Sequence, residues 1–325
     1  MRILLTGAAG FIGSYTAERL LKDGHEVIGI DNLNDYYAPA LKKYRLKRLH
    51  EYERFSFHAV DISDWLSLSG LFELVMPIDA VINLAARAGV RASLQDPSVY
   101  HHTNVTGSLY LLELIRRYGV PRYILASTSS LYAGTPLPFT EDRPVNTPIS
   151  PYAASKKAAE MYAYTYHYHF GIHTAILRYF TVYGPAGRPD MSIFRFIEWV
   201  YRGEPLHLYG DGSQSRDFTY VEDVAAATAA ALSVEGYEIF NIGGGQAPTS
   251  LIEVIAHIEK RVGKKAQILR HPFPKADLMH TQAEIRKAQT YLGWTPQVDF
   301  WTGLDRTIEW HLTSRDLLDT LSLPS

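Results

Sequence analysis

The chain has 325 residues, 46% of them hydrophobic, enough for a large α/β domain and a smaller second one. A formal net charge of −2 argues against nonspecific binding to nucleic acid or a membrane surface, and no apolar stretch is long enough to span a bilayer. There is no cysteine, which excludes disulfides, thiol catalysis and Cys-ligated metals.

In chain order, the first predicted element is the apolar strand Arg2-Ile-Leu-Leu-Thr6. The chain opens directly into it, with no charged-then-apolar leader, so a cytoplasmic protein is expected. Gly7-x-x-Gly10-x-x-Gly13 follows. Glycines let a strand turn sharply into a helix, let backbone approach a phosphate, and let helix pack on sheet. The helix that follows buries Ala17, Leu20 and Leu21 and stops at Lys22-Asp23-Gly24. The next strand, Glu26 to Ile30, ends at Asp31. An acid there accepts hydrogen bonds from the ribose of NAD and repels the extra phosphate of NADP.

Asn32 to Tyr52 is polar and predicts a loop and helix over the cofactor. Within it, Lys42-Lys-Tyr-Arg45-Leu-Lys-Arg48 reads as a solvated basic helix face. Further strands are expected at Phe55–Val60 (ending at Asp61), Asp79–Leu84, Arg122–Ser127 and His173–Leu177. Strand and helix thus alternate, which predicts a Rossmann-like, doubly wound parallel sheet. In such a sheet the strand ends face the ligand crevice, which places Asp61, Leu84-Ala85-Ala86 and Ser127 beside it. Arg87 and Arg91 follow the fourth strand and could serve a sugar or phosphates.

Pro151 to Phe170 predicts a helix, with Pro at its opening and Gly171 at its end. Tyr152 and Lys156 stand four apart, on one face of it. An ammonium beside a phenol favours the phenolate and lowers its pKa from about 10 toward working pH. The phenolate can then take a proton from an alcohol. The Gly-rich turn and this pair together predict a nicotinamide cofactor oxidising a carbinol.

Beyond Arg178 the pattern becomes irregular, with Gly and Pro frequent and helices expected at Glu222–Leu232, Ser250–Val262 and Thr302–Leu312. Residues 1–178 are read as the dinucleotide-binding domain and 179–325 as a smaller, partly interleaved α/β substrate domain, with segments around 213–245 returning to the first. His167 and His169, two apart on a helix, face apart and make a poor metal pair, and no metal is expected. Tyr162, Tyr164, Tyr166 and Tyr168 are read as core and subunit interface.

The chain resembles the extended short-chain dehydrogenase/reductases that modify nucleotide sugars, and among them most closely the UDP-glucuronate 4-epimerases. The wider likeness rests on Thr6-Gly-Ala-Ala-Gly-Phe-Ile-Gly13, Asp31-Asn32, Asp61-Ile62, Leu84-Ala-Ala86, Asn104-Val-Thr-Gly107, Tyr152-x-x-x-Lys156, Arg178-Tyr-Phe180, and Ser215-Arg-Asp-Phe-Thr-Tyr220 with Asp223. The closer one rests on Asp31-Asn-Leu-Asn-Asp-Tyr-Tyr37, Ala86-Arg-Ala-Gly-Val-Arg91, Ser127-Thr-Ser-Ser-Leu-Tyr132 and, most specifically, Arg178-Tyr-Phe-Thr-Val-Tyr-Gly-Pro-Ala-Gly-Arg-Pro-Asp-Met191.

The resemblance implies NAD held by Gly7, Gly10, Phe11, Ile12, Gly13, Asp31, Asn32, Asp61, Ile62, Leu84, Ala85, Ala86, Asn104, Ser127, Tyr152, Lys156 and Tyr179. Tyr152 would remove the proton from the sugar 4-hydroxyl while the C4 hydride passes to NAD. The 4-keto sugar would rotate and take the hydride back on its other face. Lys156 would bind the nicotinamide ribose and tune Tyr152, and Thr128 would bridge the hydroxyl and the Tyr. Arg87, Ser129, Ser130, Thr181, Arg188, Tyr209, Arg216 and Asp277 would hold the UDP-sugar: Arg216 and Asp277 at the uridine diphosphate, Tyr209 near the uracil, Arg188 at either the carboxylate or the diphosphate. A homodimer through the helices near 99–118 and 151–170 is expected as well.

Neighbouring chemistries differ in the hydroxyl cluster. The 4,6-dehydratases carry Asp-Glu after the Thr and the UDP-glucuronate decarboxylases a Glu; here stand Ser129-Ser130. UDP-glucose 4-epimerases carry Asn-Pro-Val-Gly after Arg-Tyr-Phe; here stands Thr181-Val-Tyr-Gly184. A 4-keto uronate loses carbon dioxide readily, so hydroxyls that hold the carboxylate away from that orientation suit an epimerase. UDP-glucose/UDP-galactose epimerisation, then decarboxylation, then a catalytically silent NAD-binding module are the alternatives. Ala92, Ala133 and Lys275-Ala276 depart from the common pattern, the first two at the wall of the sugar pocket.

Overall fold

A computed structural model describes residues 1–321. Its first half runs β1 (Arg2–Thr6), α1 (Phe11–Lys22), β2 (Glu26–Asp31), α2 (Pro39–Leu49), β3 (Phe55–Ala59), α3 (Trp65–Val75), β4 (Ala80–Asn83), α4 (Pro97–Tyr100), α5 (Gly107–Tyr118), β5 (Arg122–Thr128), α6 (Pro151–Phe170) and β6 (His173–Tyr179). The rest comprises β7 (Thr181–Tyr183), α7 (Ser192–Arg202), β8 (Pro205–Tyr209), β9 (Ser215–Arg216), β10 (Phe218–Tyr220), α8 (Val221–Ala230), β11 (Tyr237–Ile242), β12 (Thr249–Ser250), α9 (Leu251–Val262), β13 (Gln267–His271), α10 (Arg286–Leu292), α11 (Phe300–Thr313) and α12 (Arg315–Leu318).

Seven parallel strands form one sheet in the order β11-β6-β5-β4-β1-β2-β3, the doubly wound Rossmann-like arrangement. Side chains alternate across it. Ile3 and Leu5 pack on one face with α1 and α8, while Leu4 packs on the other with α3 and α5. Both faces are covered, so the strands read as continuous apolar runs. Chain order reverses between β1 and β4, and this switch point opens a crevice at the strand ends. A separate core, built around Phe196, Ile197, Leu206, Val254, Ile258 and Leu304, joins α7, α9 and α11 to β8.

Local signals set the helix ends. The Ser150 side chain accepts a hydrogen bond from the Ala153 amide at 3.2 Å, Pro151 opens α6, and Gly171 ends it at φ +68°. Such a cap is worth about 1 kcal/mol. The helical stretch expected from Val99 to Tyr118 is present, but its turn at His101–Thr106 widens into a π-helical one. π-Turns of this kind gather at functional sites.

One sequence reading needs correction in part. The basic face of α2 is solvated only in part: Lys43 and Lys47 are exposed, but Lys42 is 4% and Arg45 1% exposed. The Arg45 guanidinium donates to the Ala186, Gly187 and Ala9 carbonyls and to the Tyr37 hydroxyl, so every bond it lost from water is replaced. One turn of helix puts Lys42 and Arg45 on the same side as Leu41, Leu46 and Leu49, where α2 meets the body of the protein. The tyrosines of α6 also divide. Tyr166 is buried in the core, whereas Tyr162, Tyr164 and Tyr168 are exposed on this protomer.

Candidate active site

The crevice is a cleft of about 940 Å³. Its floor begins where β1 turns into α1. Gly7 has φ +72°, and its carbonyl accepts from the Gly10 amide at 2.9 Å. A Cβ on Gly13 would stand 2.0 Å from that carbonyl, and one on Gly7 would stand 2.8 Å from the Ala85 amide nitrogen. No side chain caps the amino end of α1, so its first amides are free to meet an anion.

Asp31 ends β2, where its carboxylate accepts from the Leu33 amide at 2.8 Å and from Lys42 Nζ at 3.4 Å. Asp61 accepts from Asn32 Nδ2 at 2.7 Å and from Ser63. Burial pushes the Asp61 carboxyl up, but these bonds outweigh it and hold it below the usual range. A tight glycine turn, an uncapped helix and an acid after β2 are the donor set a dinucleotide requires, so the residues fit NAD.

On the opposite wall, Tyr152 and Lys156 project from the first turns of α6. Burial pushes the Tyr152 phenol up, while a hydrogen bond with Thr128 and the charge of Arg188 pull it back. The net direction is upward, which corrects the expectation that Lys156 lowers it. Lys156 instead turns its Nζ onto the Ala126 carbonyl at 2.9 Å, and burial lowers its own pKa to about 8 against the opposing pull of Glu160. Thr128 ends β5, and its Oγ1 lies 3.1 Å from Ser130 Oγ and accepts from the Ser130 amide. Ser129 lines the same wall.

Of the residues singled out from sequence, Gly7, Gly10, Phe11, Ile12, Gly13, Asp31, Asn32, Asp61, Ile62, Leu84, Ala85, Ala86, Ser127 and Tyr179 all line the cleft. So do Thr128, Tyr152 and Lys156, and the substrate candidates Arg87, Ser129, Ser130, Thr181, Arg188, Tyr209, Arg216 and Asp277. Asn104 does not. It is buried within the π-turn, where it accepts from the Arg87 amide at 2.8 Å and donates to the Arg87 carbonyl and Ser155 Oγ. It fixes the backbone after β4 from behind. Two lining hydroxyls are engaged elsewhere: Ser127 Oγ donates to Glu160 at 2.6 Å, and Tyr179 pairs with Thr228 at 2.7 Å.

The cleft also holds residues that the sequence reading passed over. Tyr36, Lys42, Asp190, Arg195, His207 and Gln214 line it. Tyr36 and Asp190 stand inside quoted motifs, Asp190 two residues after Arg188, so their spacing was a usable signal. Arg195 on α7 carried none. Arginine meets aromatic planes throughout: Arg87 lies 4.1 Å from the Tyr36 ring centroid, Arg91 4.2 Å from Tyr209, and Arg195 4.8 Å from Trp199. Burial and the positive charge of Arg91 both lower the pKa of Arg195. Arg216 donates to the Ser215 and Met279 carbonyls and faces Asp277.

Glycine cradle, acid, phenol–lysine helix and basic far wall share one cleft. Residues 3–243 match the model of the NAD dependent epimerase/dehydratase family. The chain belongs to this family. A UDP-glucuronate 4-epimerase of Thermodesulfobacterium geofontis is 51% identical over 98% of this chain and 99% of that protein. The Bacillus cereus UDP-glucuronic acid 4-epimerase, solved with UDP-glucuronic acid and NAD, superposes with a TM-score of 0.89 at 38% identity, covering 95% of this chain and 98% of that one. The UDP-glucose 4-epimerase of Thermotoga maritima, solved with UDP-glucose, gives 0.88 at 33% identity over 97% and 99%.

Among the described residues no helix is long and apolar enough to cross a membrane, and no group of three or more His, Asp or Glu side chains is gathered as for a metal ion.

Proposed function

We propose that this protein inverts C4 of a UDP-sugar with NAD, and that its substrate is UDP-glucuronate, converted to UDP-galacturonate. The observation that carries this reading is the wall around Tyr152. Thr128, Ser129 and Ser130 face the cleft with no carboxylate among them, and the Arg188 charge acts on the same phenol. Bound NAD supplies the hydride acceptor at C4 and returns the hydride later. Tyr152 takes the proton of the 4-hydroxyl and gives it back. Thr128 holds the phenolate against the upward push of burial. The hydroxyls of Ser129, Ser130 and Thr181 turn the sugar carboxylate from the angle at which carbon dioxide leaves. With no second acid/base beside Tyr152, dehydration lacks its proton carrier.

Arg188 serves the sugar end, because it is close enough to bias Tyr152. Arg216, Asp277 and Tyr209 serve the uridine diphosphate. Residues 1–178, with 213–245, form the NAD domain in this reading, and the remainder holds the nucleotide sugar. A cytoplasmic homodimer through α5 and α6 completes it, and light scattering at micromolar protein tests the dimer. UDP-glucose epimerisation is the second reading, favoured by Asp190, which cancels much of the Arg188 charge.

The test is incubation with UDP-glucuronate and, in parallel, UDP-glucose, read by proton NMR and mass. UDP-galacturonate at unchanged mass is the expected product. Loss of carbon dioxide, or turnover of UDP-glucose alone, refutes the uronate epimerase.

A further inference from the structure

Arg188 does not face the cleft as a lone cation. Its Nε donates to Asp190 Oδ1 at 3.0 Å, and its Nη2 donates to Asp190 Oδ2. Asp190 therefore occupies one whole edge of the guanidinium. That fixes the plane of the group and leaves the Nη1 side for a ligand. Neither partner reaches bulk water freely: Arg188 is 22% and Asp190 19% exposed.

The pair is itself held from the other domain. The Tyr36 hydroxyl lies 3.5 Å from Asp190 Oδ2, and Tyr36 also hydrogen-bonds Tyr100, whose hydroxyl donates to the Ala88 carbonyl at 3.0 Å. Arg87 caps the Tyr36 ring. Tyr37 faces Arg188, and Arg195 faces Asp190. Beneath the pair, Ala186 takes φ +51°, outside the ordinary range for an alanine, and Arg45 ties down its carbonyl. A strained loop and two pinned side chains give this carboxylate one position.

From these contacts we infer that Asp190 sets how tightly the cleft holds a charged sugar, orienting Arg188 while cancelling enough of its charge that a bound uronate is held loosely. The inference rests on the functional reading above. The chemistry needs that looseness. A keto sugar must turn over in the pocket before it is reduced again, and a carboxylate clamped by an unopposed guanidinium would resist turning. Binding that strengthens the ground state alone lowers KM without raising kcat. Asp190 touches Arg188, so it is a positioning residue and a charge counterweight.

The test uses the NAD-loaded enzyme with Asp190→Asn and Asp190→Ser, which remove the charge with different side-chain volumes. With UDP-glucuronate, KM is expected to fall about fivefold and kcat about tenfold in both variants, the split that tighter ground-state binding produces. The inhibition constant of UDP, which lacks the sugar, stays at the wild-type value. Retained NAD and a single cooperative melting transition establish that each variant is folded. A KM that rises, or a UDP constant that falls in step with KM, overturns the role of Asp190. A wild type inert toward UDP-glucuronate overturns the functional reading instead, before any variant is compared, and this inference with it.

Discussion

Glu198 sits on α7, the helix that follows the Arg188 loop and carries Arg195 and Trp199 into the cleft. Its side chain has no exposure, yet it is charged. It accepts from His311 Nδ1 at 2.7 Å, from Arg315 Nη1 and Nη2 at 2.9 and 3.1 Å, and from Arg202 Nε at 3.1 Å. Burial pushes the carboxyl up, but the His311 and Arg315 bonds overcome it and bring it from 4.5 to about 2. The folded value is the depressed one. The stabilisation is therefore present above the unfolded value near 4.5 and is lost as pH falls toward 2. A depression of this size is worth roughly 3 kcal/mol. Glu198→Gln should lose about that much at pH 7, within the range for breaking a buried ion pair. Between pH 5 and pH 3.5 the contribution of the Glu198 carboxyl itself falls by about 1 kcal/mol, because the unfolded Glu protonates there. His311 is buried and pushed below its ordinary value, and the Glu198 carboxylate is what pulls it back up, so the comparison is made at pH 7, where His311 is neutral with or without that carboxylate. Urea denaturation followed by tryptophan fluorescence at fixed NAD measures the gap. A gap under about 1 kcal/mol at pH 7 refutes this account of Glu198.

Tyr152→Phe removes the base and should cut kcat by about 10²–10⁴, with NAD still bound, as read by NMR turnover and by the nucleotide released on denaturation. Thr128→Val removes a bond that lowers the phenol, so the acid limb of the kcat/KM profile should move to higher pH. Activity would drop at neutral pH and recover in alkali; an unmoved limb refutes the role of Thr128. Gly13→Ala drives a Cβ into the Gly7 carbonyl, 2.0 Å away, so the purified protein should carry no NAD.

The fold was legible because a sheet buried on both faces writes itself as apolar runs with turn signals between them. β1, β2, β5 and β6 fell within a residue or two of their expected bounds. The cleft was legible because strand ends must line it, and Asn104 alone of the named residues lies behind its wall. What the sequence hid is tertiary. Nothing in the charge of Arg45 announces that α2 turns it inward, since its burial depends on carbonyls at Ala186 and Gly187, some 140 residues away. The Tyr152–Lys156 spacing promised a lowered phenol, but spacing cannot report desolvation. Asp190 was read as part of a motif string, and only the folded loop lays it along the edge of Arg188.

The base-bearing helix is held by another buried acid, and its position explains why a charge is kept there. Glu160 lies one turn beyond Lys156 on the same face of α6 and is 2% exposed. Arg178 of β6 grips it through Nε and Nη2, each at 2.9 Å, and Ser127 of β5 donates to it at 2.6 Å. The same Arg178 donates to the Tyr132 hydroxyl, which donates in turn to Asn241 of β11. One carboxylate thereby ties α6 to the edge half of the sheet. Packed apolar side chains could fill that volume at no loss of stability. They would not fix the rotation of α6 that keeps Tyr152 against Thr128, and they would not oppose the desolvation of Lys156. Burial alone lowers that lysine, and Glu160 is the charge that raises it. Without the carboxylate nothing would oppose the desolvation that already brings Lys156 down to about 8.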